Sequence, residues 1–232
     1  EESRSVFSTT VGATWEPFKN IFKIRGDFSY KNVNREVDRY GATVKYSSAP
    51  EATTYYLAQP ASYKQLFNYK SDYISANVVA TVTPEFGPDH NLNVVAGWNI
   101  ENYDYHRLGI LRQGLLSDLM PDFELMDGTE TTLYDDGHSY GLVGFFGRAN
   151  YTLLRRYIFE LSARCDGSSK FPVNQQWGFF PSASFGWRVS EEPWLKGAKG
   201  WLDNLKLRAN AGSLGNGGVS PFAYLSTMGV SK

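Results

Sequence analysis

The 232 residues carry 23 basic and 24 acidic side chains, a formal net charge of −1 that leaves no electrostatic footprint for nucleic acid or an anionic membrane surface. The single cysteine, Cys165, excludes an intrachain disulfide or a thiolate metal cage and reads as a small apolar residue, while 16% aromatics and 22 glycines favour pleated sheet. The longest uncharged apolar run, residues 141–147, falls far short of the ~20 residues of a membrane helix, which excludes spanning helices but not spanning strands, whose alternation hides their hydrophobicity.

Period-two alternation is the dominant signal from the first residues onward. A weak candidate strand occupies residues 7–15. In residues 22–30, Phe22, Ile24, Gly26, Phe28 and Tyr30 alternate with Lys23, Arg25, Asp27 and Ser29. Further candidates lie at 74–83 and at 92–100, where Leu92, Val94, Ala96, Trp98 and Ile100 share one parity. A weaker one spans 139–153. In residues 157–166, Tyr157, Phe159, Leu161, Ala163 and Cys165 oppose Ile158, Glu160, Ser162, Arg164 and Asp166. Residues 177–189 repeat the pattern, with an apolar parity that includes Phe179, Phe185 and Trp187, and 205–212 close it with Leu207 opposite Lys206 and Arg208.

These make about eight strands, several of ~10 residues or more. Globular strands average ~5–6 residues, whereas a tilted membrane strand needs ~9–11. The connections alternate between short (16–20, 84–91, 154–156) and long (31–72, 101–138, 167–176), with 190–200 longer than the other turns on its side. Short turns at one end and long loops at the other are the habit of outer-membrane barrels, and Trp15, Tyr157, Trp177, Trp187 and Trp201 near strand ends suit interfacial girdles.

Residues 147–217 carry three linked motifs. Arg164 and Asp166 to Phe171 form R-x-D-G-S-S-K-F, Trp177 to Arg188 form W-G-x-F-P-S-x-x-x-G-W-R, and Leu205 to Asn216 form L-K-L-R-x-x-x-G-x-x-G-N. Over about seventy residues this resembles the SusC/RagA family of TonB-linked outer-membrane transporters. The first ~140 residues fit by architecture alone. The resemblance implies an all-β, antiparallel transmembrane β-barrel segment of about eight strands from a larger plugged barrel of ~22 strands. It also implies import of oligosaccharide or peptide across the outer membrane of a Gram-negative bacterium, with a SusD-like surface lipoprotein as lid and TonB acting through a missing N-terminal region. Residues 1–232 would then be a partial barrel domain, with plug domain and chain termini absent, unable to transport alone.

In that frame Asp166 and Gly167 are expected to open a tight extracellular turn with Gly at positive φ. Gly186 and Gly212 fall on the lumen register, where a missing side chain lets another backbone approach. Arg148, Glu160, Arg164, Arg188 and Arg208 are expected to face the lumen or plug, since inward charges are tolerated only in a wet or protein-filled lumen. A tyrosine-rich loop with Tyr55, Tyr56, Tyr63, Tyr69 and Tyr73 is the candidate for substrate or lid contact, with packing of the loop an equal alternative.

Other chemistry finds little support. The acidic stretch 118–137, with Asp118, Asp122, Glu124, Asp127, Glu130, Asp135 and Asp136, lacks EF-hand spacing and reads as a solvated loop against the lid. Gly212–Gly218 lacks the Lys-Ser or Lys-Thr of a Walker loop. His90, His106 and His138 fall in separate connections, and Asn150 with Thr152 forms an acceptor sequon inside a strand. No nucleophile-elbow or zinc-hydrolase motif occurs, and Glu160 and Asp166 lie roughly 20 Å apart along a strand, too far for a glycosidase pair. No enzyme, cofactor or metal is expected. The alternative is a soluble or cell-surface β domain acting as an adhesin or glycan-binding module. The two differ in whether Phe159, Leu161, Phe185 and Leu207 meet lipid or a second sheet.

Overall fold

The structure is a computed structural model that describes all residues except 43–44, 48, 52–54, 57–61, 118, 128–130, 199 and 226–232. Its strands are β1 (Glu2–Phe18), β2 (Phe22–Gly41), β3 (Lys45–Tyr46), β4 (Tyr55–Tyr56), β5 (Tyr63–Val82), β6 (His90–Gln113), β7 (Thr131–Leu153), β8 (Tyr157–Ser168), β9 (Trp177–Arg188) and β10 (Lys206–Gly212). Eight of them form one sheet in the order β1-β2-β5-β6-β7-β8-β9-β10, and β3 pairs with β4 separately. Each long strand thus lies beside the next long strand in the chain, the arrangement of an up-and-down barrel wall. None of the helical segments described is long and apolar enough to cross a membrane.

The eight-strand, all-β expectation holds, but the strands are longer than the alternation indicates. β2 continues to Gly41, β5 begins at Tyr63, β6 runs to Gln113 and β7 begins at Thr131. Much of the sequence read as the long loops 31–72 and 101–138 is therefore strand. The reason is chemical: in stretches such as Lys31 to Arg39, charged or amide side chains occupy both parities, so pairing continues after the period-two contrast has gone. Residues 189–205 carry two 3-10 segments, Val189–Glu191 and Pro193–Ala198.

The chain divides into two compact units. Unit one comprises Glu1–Ser8, Lys31–Tyr73 and Asp104–Ser139; unit two comprises Thr9–Tyr30, Ile74–Tyr103 and Tyr140–Lys232. In unit two the register is fixed across three antiparallel pairs. β8 sets Phe159 against Tyr151 on β7 and Phe185 on β9, and Leu161 against Ala149 and Ala183, while Leu207 on β10 faces Trp187. Odd residues meet odd and even meet even, so each face is continuous from strand to strand.

The odd face is apolar and uncovered. Phe159 is 42% exposed, Leu161 63%, Phe179 64%, Phe185 40% and Leu207 53%. Phe159 packs against Phe185 with the rings tilted by 45° and 5.1 Å between centres, and Phe145 stacks near Trp177 at 6.3 Å, without any second sheet over them among the described residues. Buried apolar residues amount to Val37, Met126 and Val189, and no large side chain is fully buried among those described. Full burial of one such side chain is worth ~1.5–3 kcal/mol, so leaving five half in water forfeits on the order of 5 kcal/mol. That rivals the ~5–15 kcal/mol that holds an ordinary domain folded. A face of this kind requires an apolar solvent.

Candidate functional site: the polar face

The even face of unit two is polar. Arg148 and Asn150 on β7 register with Ser162 and Glu160 on β8, which register with Ser182 and Ser184 on β9. Arg188 then registers with Lys206, and Arg208 with Gly186. All five residues read from the sequence as facing inward, Arg148, Glu160, Arg164, Arg188 and Arg208, thus share one face. Arg148 Nε lies 3.9 Å from Glu160 Oε1, and the Ser162 and Ser182 hydroxyls are 2.7 Å apart. Arg188 donates to the Arg155 carbonyl at 3.4 Å at the strand end. A cavity of 880 Å³ opens on this face, lined by Arg148, Glu160, Arg164, Asp166, Phe180 and residues 212–215. It offers hydroxyls, two guanidinium groups and two carboxylates, with no nucleophile set beside a base among the described residues.

The motif around Arg164 is a structural lock. Arg164 Nε donates to both Asp166 carboxylate oxygens at 2.7 Å, and its Nη2 donates to Asn99 Oδ1 on β6 at 3.1 Å. The space for this network is the missing side chain of Gly144, where a Cβ would collide with Asn99, Asp166 and Arg164. Beyond it, Ser169 Oγ accepts from the Gly141 amide at 2.9 Å, and Lys170 Nζ sits 4.1 Å from the Tyr140 ring centre. One expectation is corrected here. Asp166 and Gly167 do not form a turn; they lie in β8, opposite Gly178 and Trp177. Gly167 is absent from the positive-φ glycines Gly87, Gly114 and Gly200, and its role is to admit the Trp177 ring, which a Cβ would meet at 3.0 Å.

Sequence reasoning missed a second lock. Glu192, 5% exposed, accepts from Tyr157 Oη at 2.7 Å, Arg156 Nη1 at 2.8 Å and Trp187 Nε1 at 2.9 Å. It ties the connection after β9 to the starts of β8 and the end of β9. The Trp187 and Tyr157 hydrogen bonds hold its carboxyl below the ordinary carboxylate range, against the opposing effect of desolvation. No local spacing flags it, because two of the donors are 35 and 36 residues away.

Unit one carries the tyrosines. Tyr55 and Tyr56 form β4, with backbone pairing to Tyr46 and Lys45. Tyr63, Tyr69 and Tyr73 are not in a loop as expected; they lie on β5, sharing one parity with Phe67 while Lys64, Asn68, Lys70 and Asp72 hold the other. Around Tyr69 runs a row of cations and rings. Arg35, bonded to Glu2 at 2.7 Å, lies 5.3 Å over Tyr69; Tyr69 stacks with Phe67 at 6.0 Å; Phe67 meets Tyr134 at 5.1 Å. Arg107, bonded to Asp136 at 2.6 Å, lies 5.3 Å over Tyr134. The acidic stretch is also partly strand: Asp135 and Asp136 belong to β7, where Asp135 meets His106 Nε2 at 2.8 Å. Asp122 instead caps a 3-10 turn, and Asp118 and Glu130 lie outside the described residues.

The family described as TonB dependent receptor-like, beta-barrel, matches residues 3–226. Among curated proteins, the TonB-dependent receptor SusC of Bacteroides thetaiotaomicron is 47% identical over 85 residues, covering 36% of this chain and 8% of that protein. TonB-dependent receptor P3 of Formosa agariphila is 25% identical over 233 aligned residues, 97% of this chain and 22% of that protein. Among solved structures, the RagAB peptide importer in its open-open state superposes with a TM-score of 0.72 at 19% identity, over 95% of this chain and 24% of that one. The RagAB peptide transporter gives 0.71 over the same shares. This structural likeness carries the fold. The chain spans less than a quarter of the length of each of these relatives.

Proposed function

The chain belongs to the TonB dependent receptor-like β-barrel family, and from that premise we propose that it forms part of the wall of a SusC-like outer-membrane importer of oligosaccharide or peptide. The observation that carries the proposal is the two-faced sheet: an uncovered odd face of Phe159, Leu161, Phe185 and Leu207 for lipid, and an even face of Arg148, Glu160, Arg164, Arg188 and Arg208 for a polar lumen or plug. In this reading the wall works with a plug and with a TonB-contacting region, both outside these residues. A SusD-like lipoprotein closes the extracellular side. The wall's own chemistry is to satisfy polar groups inward while neighbouring strands pair their backbone groups in the sheet.

An adhesin or glycan-binding domain free in water would have to bury the odd face, and the exposures speak against it. Fractionation and uptake test the proposal together. The full protein is expected in the outer-membrane fraction, and its uptake of labelled oligosaccharide or peptide should stop when a protonophore collapses the proton gradient or TonB is removed. A soluble product, or uptake indifferent to both treatments, would overturn it.

A further inference from the structure

Where β9 meets β10, the even face of unit two carries three cations side by side. Arg188 and Lys206 are direct register partners, and Arg208 stands two residues further along β10, opposite Gly186. Gly186 makes the seat for the lysine: a Cβ there would come within 3.1 Å of Lys206 Cε and 3.7 Å of Lys206 Nζ. The lysine chain therefore lies across the glycine whose register partner is Arg208. Arg188 is fixed at the strand end by its bond to the Arg155 carbonyl. The two arginines are exposed and the lysine is half-buried, so the group is open to a partner. Like charges set directly opposite on paired strands are destabilising. None of these three cations forms an ion pair among the described residues, and carboxylates of the neighbouring elements are engaged elsewhere: Glu160 with Arg148, Asp166 with Arg164 and Glu192 with Arg156.

We infer that Arg188, Lys206 and Arg208 form a docking patch for an acidic stretch of the plug, holding it to this wall by charge. The inference rests on the importer reading above, in which this face lines a plugged lumen, and it gives the plug's contact with these strands a sign and a location. Spacing suits such an occupant. Lys206 and Arg208 are roughly 7 Å apart along the strand, which is also the separation of carboxylates at i and i+2 on an extended chain. Each carboxylate would receive charge-assisted hydrogen bonds from a cation that has no other acidic partner among the described residues. A solute in passage fits less well, because conduction needs sites weak enough to leave and three fixed cations would detain an anion. Contacts made of exposed charges are individually weak, so a plug held by them can yield and reseat in water.

The test uses the full-length transporter in detergent and a water-soluble carbodiimide, which joins an amine to a carboxylate only where the two touch. Lys206 is expected to couple to an aspartate or glutamate of the plug, identified by mass spectrometry of the joined peptides. Lys206→Arg keeps the charge but offers no amine, so the joined peptide should disappear while the plug stays seated. Reversing two charges (Lys206→Glu with Arg208→Glu) should speed proteinase K cleavage of the plug about tenfold or more, as repulsion replaces charge-assisted bonds. Raising NaCl from roughly 50 to 500 mM should speed it in the unaltered protein, because exposed charges are screened. Barrel integrity is checked for both variants by heat-dependent mobility on a denaturing gel. Coupling of Lys206 to the barrel wall alone, coupling to no carboxylate, or a folded charge-reversed variant whose plug is cleaved at the original rate would each overturn the docking patch. Proton-gradient-dependent uptake by a protein whose Lys206 meets no plug carboxylate would leave the importer reading standing while removing this one; a protein outside the membrane fraction would remove both.

Discussion

Glu192 shows how one side chain can hold an element end. Its carboxylate receives three donors that would otherwise be stranded beside β8 and β9. Glu192→Gln keeps the size but removes the charge that Arg156, 2.8 Å away, pairs with. Trypsin cleavage between β9 and β10 is expected to accelerate several-fold in that variant, on the order of what one charge-assisted hydrogen bond contributes. The pH dependence follows from the direction of the shift. The folded carboxyl titrates below its ordinary value of 4.5, so its contribution is complete above that value and is lost as pH falls through the lower, folded one. Protease resistance should therefore be flat from about pH 8 to 5 and decline only as pH falls below the ordinary carboxylate range; a decline centred near neutrality would show that another group governs the turn. The contiguous motif drew attention to Arg164 and Asp166, although Asp166 lies in β8 and not in the turn expected of it, while Glu192 was hidden because its partners converge only through register.

At the scale of the element, β8 states the two-faced argument within adjacent residues. Leu161 is 63% exposed on the odd face between Ala149 and Ala183, and Ser162 lies on the even face against Ser182. An arginine at a lipid-facing midplane position costs ~2–4 kcal/mol, whereas a lumen position tolerates charge. Leu161→Arg is expected to lower the temperature at which the barrel loses its folded gel mobility, and Ser162→Arg to leave it nearly unchanged. Equal effects would mean the faces are not lipid and lumen. Residues 157–188 were readable from sequence because the two parities differ so sharply there. The outer lengths of β2, β5, β6 and β7 were not: stretches such as 31–39 carry charged or amide groups on both faces and lose the periodicity while keeping the pairing, and in 63–73 Gln65 and Ser71 interrupt the parity of Tyr63, Phe67, Tyr69 and Tyr73. The aromatic row around Tyr69 was half readable for the same reason: tyrosine content drew attention to 55–73, but Arg35, Arg107 and Tyr134 join it only across the sheet.

For the whole molecule, the decisive fact is what the sheet lacks. Among the described residues the buried apolar ones are Val37, Met126 and Val189, of which only Val37 lies in the eight-stranded sheet, so the sheet has no apolar interior of its own there to hold it in water. Its stability must come from continuation of the sheet, lipid on one side and protein or water on the other. The most direct test is a spin-label scan of residues 157–168 in the full protein reconstituted into vesicles, reading contact with lipid-soluble oxygen and with a water-soluble nickel complex at each position. The account predicts two patterns in antiphase: oxygen contact highest at 159, 161 and 163, nickel contact highest at 160, 162 and 164. Contact that rises and falls in phase, or oxygen contact no higher on the odd face than on the even, would contradict the claim that this sheet is a membrane wall.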